Sequence, residues 1–124
     1  MGYQDIPPIT REDLDTALHS GAADKIARAV LAISLHDKDL AFAQDLCLRT
    51  AADKNPTVRS IGVTGLGHLA RRFGRIDQNK VEPILQWALI DPDPDVRGPA
   101  EAAADSIDRF TGWHVRHPSG RADA

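Results

Sequence analysis

The fold is decided by the stretch Asn55-Pro56-Thr57-Val58-Arg59, which returns 38 residues later as Asp93-Pro94-Asp95-Val96-Arg97. In both copies an Asn or Asp precedes a proline, an arrangement that caps a helix and presets its first turn. The valine begins an apolar stripe, and the arginine after it is within reach of a neighbouring element. Two copies at this period predict a repeat protein in which each copy opens the second helix of a pair.

Beyond these two helices, apolar residues at helical spacing predict six helices in all. We expect them at about 11–19, 22–35, 39–52, 56–73, 80–90 and 94–110. Thr10 is expected to cap the first helix, and Gly74 to end the fourth. Aromatic residues make up only 5% of the chain and β-branched residues never alternate over a strand length, so no strand is expected.

The six helices pair into three hairpins, at about 10–35, 39–74 and 80–110, followed by a C-terminal cap and tail at 111–124. The prediction is an all-α fold, a short α-solenoid of three helical hairpins that forms a single domain over residues 1–124. A length of 124 residues supports one hydrophobic core and is too short for two.

Both copies of the Asn/Asp-Pro-x-Val-Arg motif resemble the start of the second helix in HEAT repeats. The resemblance covers residues 39–110 well and residues 10–35 only by the number of helices. It implies a HEAT-like domain with an extended concave surface that suits protein binding. Small HEAT-like bacterial proteins of this kind look like immunity proteins, which neutralise a cognate toxin.

Two sequence features predict how the helices pack. Gly62, Gly65 and Gly67 lie inside the fourth helix, where each costs about 0.5–1 kcal/mol relative to alanine, so a closely packed neighbour is expected there. Arg59 and Arg97, at equivalent positions of the repeat, are expected to tie successive units together.

Composition excludes several classes of function. Lys and Arg number 15 against 18 Asp and Glu, a net charge of −3, which disfavours a general nucleic-acid binder because phosphate requires a basic face. The single cysteine, Cys47, excludes an internal disulfide framework and is expected to be a buried apolar residue. No apolar run could span a bilayer and the N-terminus does not resemble a secretory signal, so a cytoplasmic protein without membrane contact is expected.

Reactive side chains form no recognised catalytic pattern in the sequence. It has no P-loop, no dinucleotide-binding fingerprint and no His-Glu-x-x-His zinc motif. His114 and His117 are interpreted as surface residues, since two histidines alone are a weak metal signal. We therefore expect no catalysis, no cofactor and no metal. The alternatives are an adaptor in a larger assembly and an enzyme similar to HEAT-like DNA glycosylases or bilin lyases.

Charge is distributed unevenly along the chain. Residues 82–108 carry seven acidic side chains against one arginine, a local charge of −6, whereas residues 68–80 carry a local charge of +3. Glu101, Asp105 and Asp108 are spaced i, i+4 and i+7, so they share one face of the last helix. A solvated face explains this spacing without any function. The functional interpretation is an acidic surface that binds a basic protein, such as a nuclease-like toxin.

Two tryptophans are the candidate apolar anchors of that contact, because tryptophan is enriched at interface hot spots. Trp113 either covers the open end of the array or contacts the partner. Trp87 is expected in the core or at its edge and is the second candidate anchor. The predicted partner-binding residues are therefore Asp91, Asp95, Glu101, Asp105, Asp108, Trp113 and Trp87.

Overall fold

A computed structural model describes residues 5–118, which form six α-helices and no strand within that range. The helices are α1 (Arg11–Ser20), α2 (Ala23–His36), α3 (Leu40–Thr50), α4 (Pro56–Phe73), α5 (Gln78–Leu89) and α6 (Pro94–Thr111). The all-α prediction is confirmed, and each predicted helix is present with ends that shift by at most two residues. Of the predicted tail, residues 119–124 lie outside the described residues.

Capping residues set the helix ends. The Thr10 hydroxyl accepts the N–H of Asp13 at 3.0 Å, and the Asp13 carboxylate accepts the N–H of Thr10 at 3.2 Å, forming a capping box. Asp77 accepts the N–H of Lys80 at 3.3 Å, which explains why α5 begins at Gln78, earlier than predicted. Gly74 ends α4 with a φ of 68°, a conformation that favours glycine.

The sequence repeat is also a repeat of hydrogen bonds. In the loop before α4, Asp53 accepts the N–H of Asn55 at 2.9 Å, and Asn55 accepts the N–H of Thr57 at 2.8 Å. The same two bonds, each 2.9 Å long, recur at the equivalent positions of the Asp91–Asp95 loop before α6. Both loops therefore make the same pair of turns before their helices begin.

The helices form two layers. The second helices of the three pairs lie in a row in the order α2, α4, α6, and α1, α3 and α5 each pack on the helix that follows them. Helix α4 is central, since it packs on α2 and α3 on one side and on α6 on the other. These contacts are those of a short solenoid of three hairpins, with Leu66 and Leu69 of α4 fully buried at its centre.

Close packing around α4 explains its glycines. A Cβ atom on Gly62 would collide with the backbone of Ala51 at the end of α3. A Cβ atom on Gly65 would collide with the side chains of Ser34 and Cys47. The prediction that these glycines serve packing is therefore confirmed, because α3 and α2 approach α4 more closely than an alanine would permit.

Cys47 is a core residue, as predicted. It is fully buried, and this burial raises the pKa of its thiol to about 12, so the thiolate is not populated near neutral pH. Its sulfur lies 3.2 Å from the Ser34 hydroxyl, which in turn donates to the Val30 carbonyl at 2.8 Å.

No helix among the described residues has the length and apolar character needed to cross a membrane.

Candidate protein-binding surface

Helix α6 has a buried apolar side and an exposed side that carries carboxylates. Val96, Ala100, Ala103 and Ile107 face the core. Glu101, Asp105 and Asp108 are all exposed, so the three carboxylates share one solvent-facing side of α6. Asp95, in the first turn, is exposed as well but lies about a third of a turn round the helix from these three. We call Glu101, Asp105 and Asp108 the acidic face.

Neighbouring cations neutralise only part of this face. Arg109 lies 3.5 Å from the Asp105 carboxylate, and both side chains are 68% exposed, so the pair is weak. His114 Nδ1 lies 3.3 Å from the Asp108 carboxylate, with the two side chains 52% and 56% exposed, and it adds a positive charge there only when it is protonated. Glu101 makes no ion pair with any residue between 5 and 118. The acidic face therefore keeps a negative charge that a partner could meet.

Asp91 does not belong to this exposed face, contrary to the expectation from sequence. It is only 9% exposed, and Arg59 donates to both of its carboxylate oxygens, at 2.9 and 3.0 Å. Burial, the largest single influence, raises its pKa, but bonds from Arg59 and the Asp93 N–H, with the charge of Arg97, together hold that pKa below its ordinary value. Asp91 is thus a structural carboxylate.

The same contacts test the predicted roles of the two repeat arginines. Arg59 of α4 reaches Asp91 in the loop of the next hairpin, so it ties successive units together as predicted. Arg97 instead donates to the Asp91 backbone carbonyl at 2.6 Å, which is within its own hairpin. The prediction for Arg97 is wrong, because its guanidinium binds a backbone carbonyl of its own hairpin.

Trp113 is part of a segment that covers the end of the array. Its side chain is half-buried against the core, and Val115 just after it is 4% exposed. The N–H of Arg116 donates to the Glu82 carboxylate at 3.0 Å, and the Gln86 side chain donates to the Arg116 carbonyl at 3.0 Å. These contacts fit the interpretation of Trp113 as a cap better than that of a partner anchor.

Trp87 is 73% exposed, so the expectation that it lies in the core or at its edge is wrong. It stands with Pro83 and Ile90 on the outer side of α5, at i, i+4 and i+7. Trp87 therefore lies on the outer side of α5, whereas the acidic face belongs to α6, although sequence reasoning assigned both to one site.

A groove between α4 and α6 was not anticipated. It has a volume of about 370 Å³ and is lined on the α6 side by Gly98, Pro99, Ala102 and Ser106. Phe110, which continues the apolar spacing of Ala103 and Ile107, is nevertheless 41% exposed one turn beyond Ser106. A sequence signal existed, since small residues recur at 98, 102 and 106 with the spacing of a single helix row.

Part of the basic region at 68–80 has a structural task. The Arg72 guanidinium donates to the backbone carbonyls of Ser34 at 2.7 Å and Asp37 at 2.8 Å, which ties the end of α4 to the end of α2. It also lies over the Phe73 ring, 4.8 Å from the centroid.

Among residues 5–118, no three His, Cys, Asp or Glu side chains are grouped as metal ligands.

Comparison with known proteins gives an informative similarity to a solved structure. No family model and no curated protein matches the sequence, so the resemblance to HEAT repeats stays a prediction. Among solved structures, the chain is similar to a chain in the crystal structure of a CDI complex from Cupriavidus taiwanensis. The two share 32% sequence identity with a TM-score of 0.75, over 89% of this chain and 97% of the other.

Proposed function

Because this chain belongs to the same family as the Cupriavidus taiwanensis CDI-complex chain, we propose that it is an immunity protein that binds and inhibits a cognate toxin. A CDI, or contact-dependent inhibition, complex includes an immunity protein. The observation that carries the proposal is the 32% identity over 97% of that chain. Inhibition by binding needs a complementary surface and no catalytic group, so the proposal is a non-catalytic protein of the bacterial cytoplasm.

The acidic face is the part of the surface that we assign to the toxin. Its carboxylates are exposed, and Glu101 makes no ion pair within residues 5–118. A toxin that cleaves nucleic acid carries a basic substrate-binding surface, and carboxylates complement such a surface as phosphates do. Covering that surface would block access of the substrate. We therefore propose a basic, nuclease-like toxin as the partner.

Magnitudes set limits on what the acidic face contributes. Exposed ion pairs are each worth only about 0–1 kcal/mol, so these carboxylates mainly steer association and select the partner. Affinity requires an apolar contact in addition. Phe110, 41% exposed at the end of α6, is the exposed large apolar side chain of that helix. By helical spacing it follows the row of Ala103, about half a turn round from the three carboxylates, whereas Trp87 belongs to α5.

The test is co-expression of this chain with the polypeptide encoded directly upstream, followed by co-purification and a toxicity assay. We expect a stable complex and restored growth of cells that produce the toxin. The double variant Glu101→Lys/Asp105→Lys should associate more slowly at low salt, and its rate should depend less on salt than that of the wild type. Stopped-flow measurement at low and high salt gives both quantities.

A matched control changes the same charge elsewhere. Asp15 on α1 and Asp45 on α3 are exposed and outside the third hairpin, so Asp15→Lys/Asp45→Lys alters net charge equally without touching the acidic face. If the control slows association as much as the α6 variant, only overall charge matters and the acidic face is not the site. Failure of the wild type to bind or protect would reject the immunity function itself.

The adaptor alternative is favoured by one observation. Trp87 is 73% exposed and stands with Pro83 and Ile90 on the outer face of α5, on a different helix from the acidic face. A protein that joins two partners needs two separate surfaces, and exposed apolar side chains in a row are typical of interaction sites. If Trp87→Ser leaves protection from the toxin intact, the outer face of α5 is available to a second partner, as an adaptor requires. If Trp87→Ser abolishes protection while the α6 charge reversal has no effect, that face is the toxin site instead.

A further inference from the structure

The groove between α4 and α6 lies beside a point of close packing between the two helices. A Cβ atom on Gly67 would lie 3.1 Å from Ala103 Cα, so the backbones are close at that point. A Cβ atom on Gly98, earlier in α6, would meet nothing within 4 Å. The groove is therefore open to solvent along the row of small residues on α6.

The two walls of the groove differ in chemistry. The α6 wall presents Gly98, Ala102 and Ser106, whose small side chains leave the backbone accessible, with Phe110 exposed one turn further on. The α4 wall presents polar side chains, namely Thr64, His68 and Arg71. A row that begins with small residues and ends at an aromatic ring admits a bulky chain and offers it one apolar contact.

Arg71 carries the positive charge of the α4 wall. Its guanidinium donates to His68 Nδ1 at 3.0 Å, so that nitrogen bears no proton. Burial and the nearby charges of Arg71 and Arg72 lower the pKa of His68 to about 4, so the imidazole is neutral at physiological pH. Arg71 itself is exposed and makes no ion pair with a described residue.

The opposite rim is negative. Asp95 lies one turn before Pro99, and Asp105 lies one turn after Ala102, so both carboxylates stand beside the groove on α6. Both are exposed. The groove therefore has a cation along one side and carboxylates along the other, of which Asp105 is paired with the exposed Arg109 at 3.5 Å. This pattern repels the uniformly negative backbone of a nucleic acid and suits a polypeptide with charges of both signs.

We propose that this groove receives a polypeptide segment of the protein partner, with a basic side chain toward Asp95 and Asp105 and a carboxylate toward Arg71. An apolar side chain of the same segment packs on Phe110. The inference rests on the proposed function and specifies where the toxin contact has its centre. A groove that is open along its length fits a chain better than a compact small molecule, which is bound in a site that encloses most of its surface.

The test fills the groove without disturbing the fold. Gly98 is helical and faces open space, so Gly98→Phe places a ring where the segment would lie and costs the helix nothing in propensity. Ala102→Phe does the same from the next turn. Ala41→Phe, at an exposed position of α3, is the matched control. Each variant is titrated with the polypeptide encoded directly upstream, and its melting temperature is measured alongside.

The groove variants should keep the melting temperature of the wild type and lose affinity by at least about tenfold, because the filled groove excludes the centre of the contact. Ala41→Phe should bind like the wild type. Arg71→Glu supplies a second test, since it leaves the groove open and should still weaken binding by removing the cation. That variant keeps the proposal testable should both phenylalanine variants fail to fold.

The possible results separate the two proposals. If the wild type and a folded Gly98→Phe bind the toxin equally, and Arg71→Glu does too, the groove proposal is overturned while the immunity function stands. If the wild type binds no toxin, both are overturned. Loss of binding in the groove variants alone, with the Ala41→Phe control intact, supports the groove as the docking site.

Discussion

Helices α4 and α6 open with the same motif and have the same length, 18 residues, yet they meet different surroundings. Helix α4 lies between α2 and α6 and buries eight residues, whereas α6 ends the row and buries four. Residues at equivalent positions of the repeat therefore differ in burial. Val63 and Gly67 are buried, and the residues 38 positions later are the exposed Glu101 and Asp105. Position in the array decides which side of a repeat helix becomes a binding surface.

The largest difference between the two helices should appear in the core. Leu66 of α4 is fully buried at the centre of the molecule, and its equivalent in α6, Ala104, is only half-buried. Leu66→Ala should lower the free energy of unfolding by about 2–5 kcal/mol, because it leaves a cavity between packed helices. Ala104→Gly should cost only about 1 kcal/mol, through helix propensity. Urea denaturation measures both, and a loss below 1 kcal/mol for Leu66→Ala would contradict the central role of α4.

The two repeat arginines should differ next. Arg59→Ala leaves the buried Asp91 carboxylate without its two charged hydrogen bonds, so we expect a loss of roughly 1.5–3 kcal/mol. Arg97→Ala removes one bond to a carbonyl and should cost about 0.5–1.5 kcal/mol. Equal losses of unfolding free energy in the two variants would mean that the Arg59–Asp91 contact between hairpins stabilises the fold no more than the Arg97 contact within one hairpin.

The pKa of Asp91 gives the arginine comparison a pH dependence. In the folded protein that pKa lies below its ordinary value of 3.8, so the unfolded chain binds the proton more tightly. The stabilisation is complete above pH 3.8 and is lost as the pH falls through the lower, folded value. The difference in stability between the wild type and Arg59→Ala should therefore narrow in acid, whereas that between the wild type and Arg97→Ala should change less.

Glycines give the third contrast, with effects of opposite sign. Gly62→Ala forces a Cβ atom into the backbone of Ala51, so it should destabilise the fold by about 1–3 kcal/mol. Gly98→Ala meets open space and should stabilise α6 by about 0.5–1 kcal/mol. The melting temperatures of the two variants measure both effects, a decrease for Gly62→Ala and an increase for Gly98→Ala. Stabilisation by both would show that α3 does not pack on α4 as closely as described.

Local chemistry made most of the fold predictable from sequence. Asn55 and Asp93 are strong caps followed by proline, and Gly74 is a strong stop, so the bounds of α4 and the start of α6 depend on adjacent residues alone. Surface assignments failed where exposure depends on a distant neighbour. Trp87 continues an apolar pattern yet faces outward, because none of the helices between residues 5 and 118 covers that side of α5. Asp91 has an acidic neighbourhood in sequence, and only the fold brings Arg59 to it.

The smallest effect on stability should come from the acidic face, where the contrast between α4 and α6 is sharpest. Glu101→Lys/Asp105→Lys alters two exposed carboxylates and one weak ion pair, so the free energy of unfolding should change by no more than about 0.5 kcal/mol. Val63→Lys, the equivalent change in α4, buries an unpaired ammonium at a fully buried site and should prevent folding. Circular dichroism with thermal denaturation compares the two at once. A folded Val63→Lys would mean that α4 is not enclosed on both sides. A destabilised double variant would mean that the α6 carboxylates serve the fold, and their assignment to a partner would lose its basis.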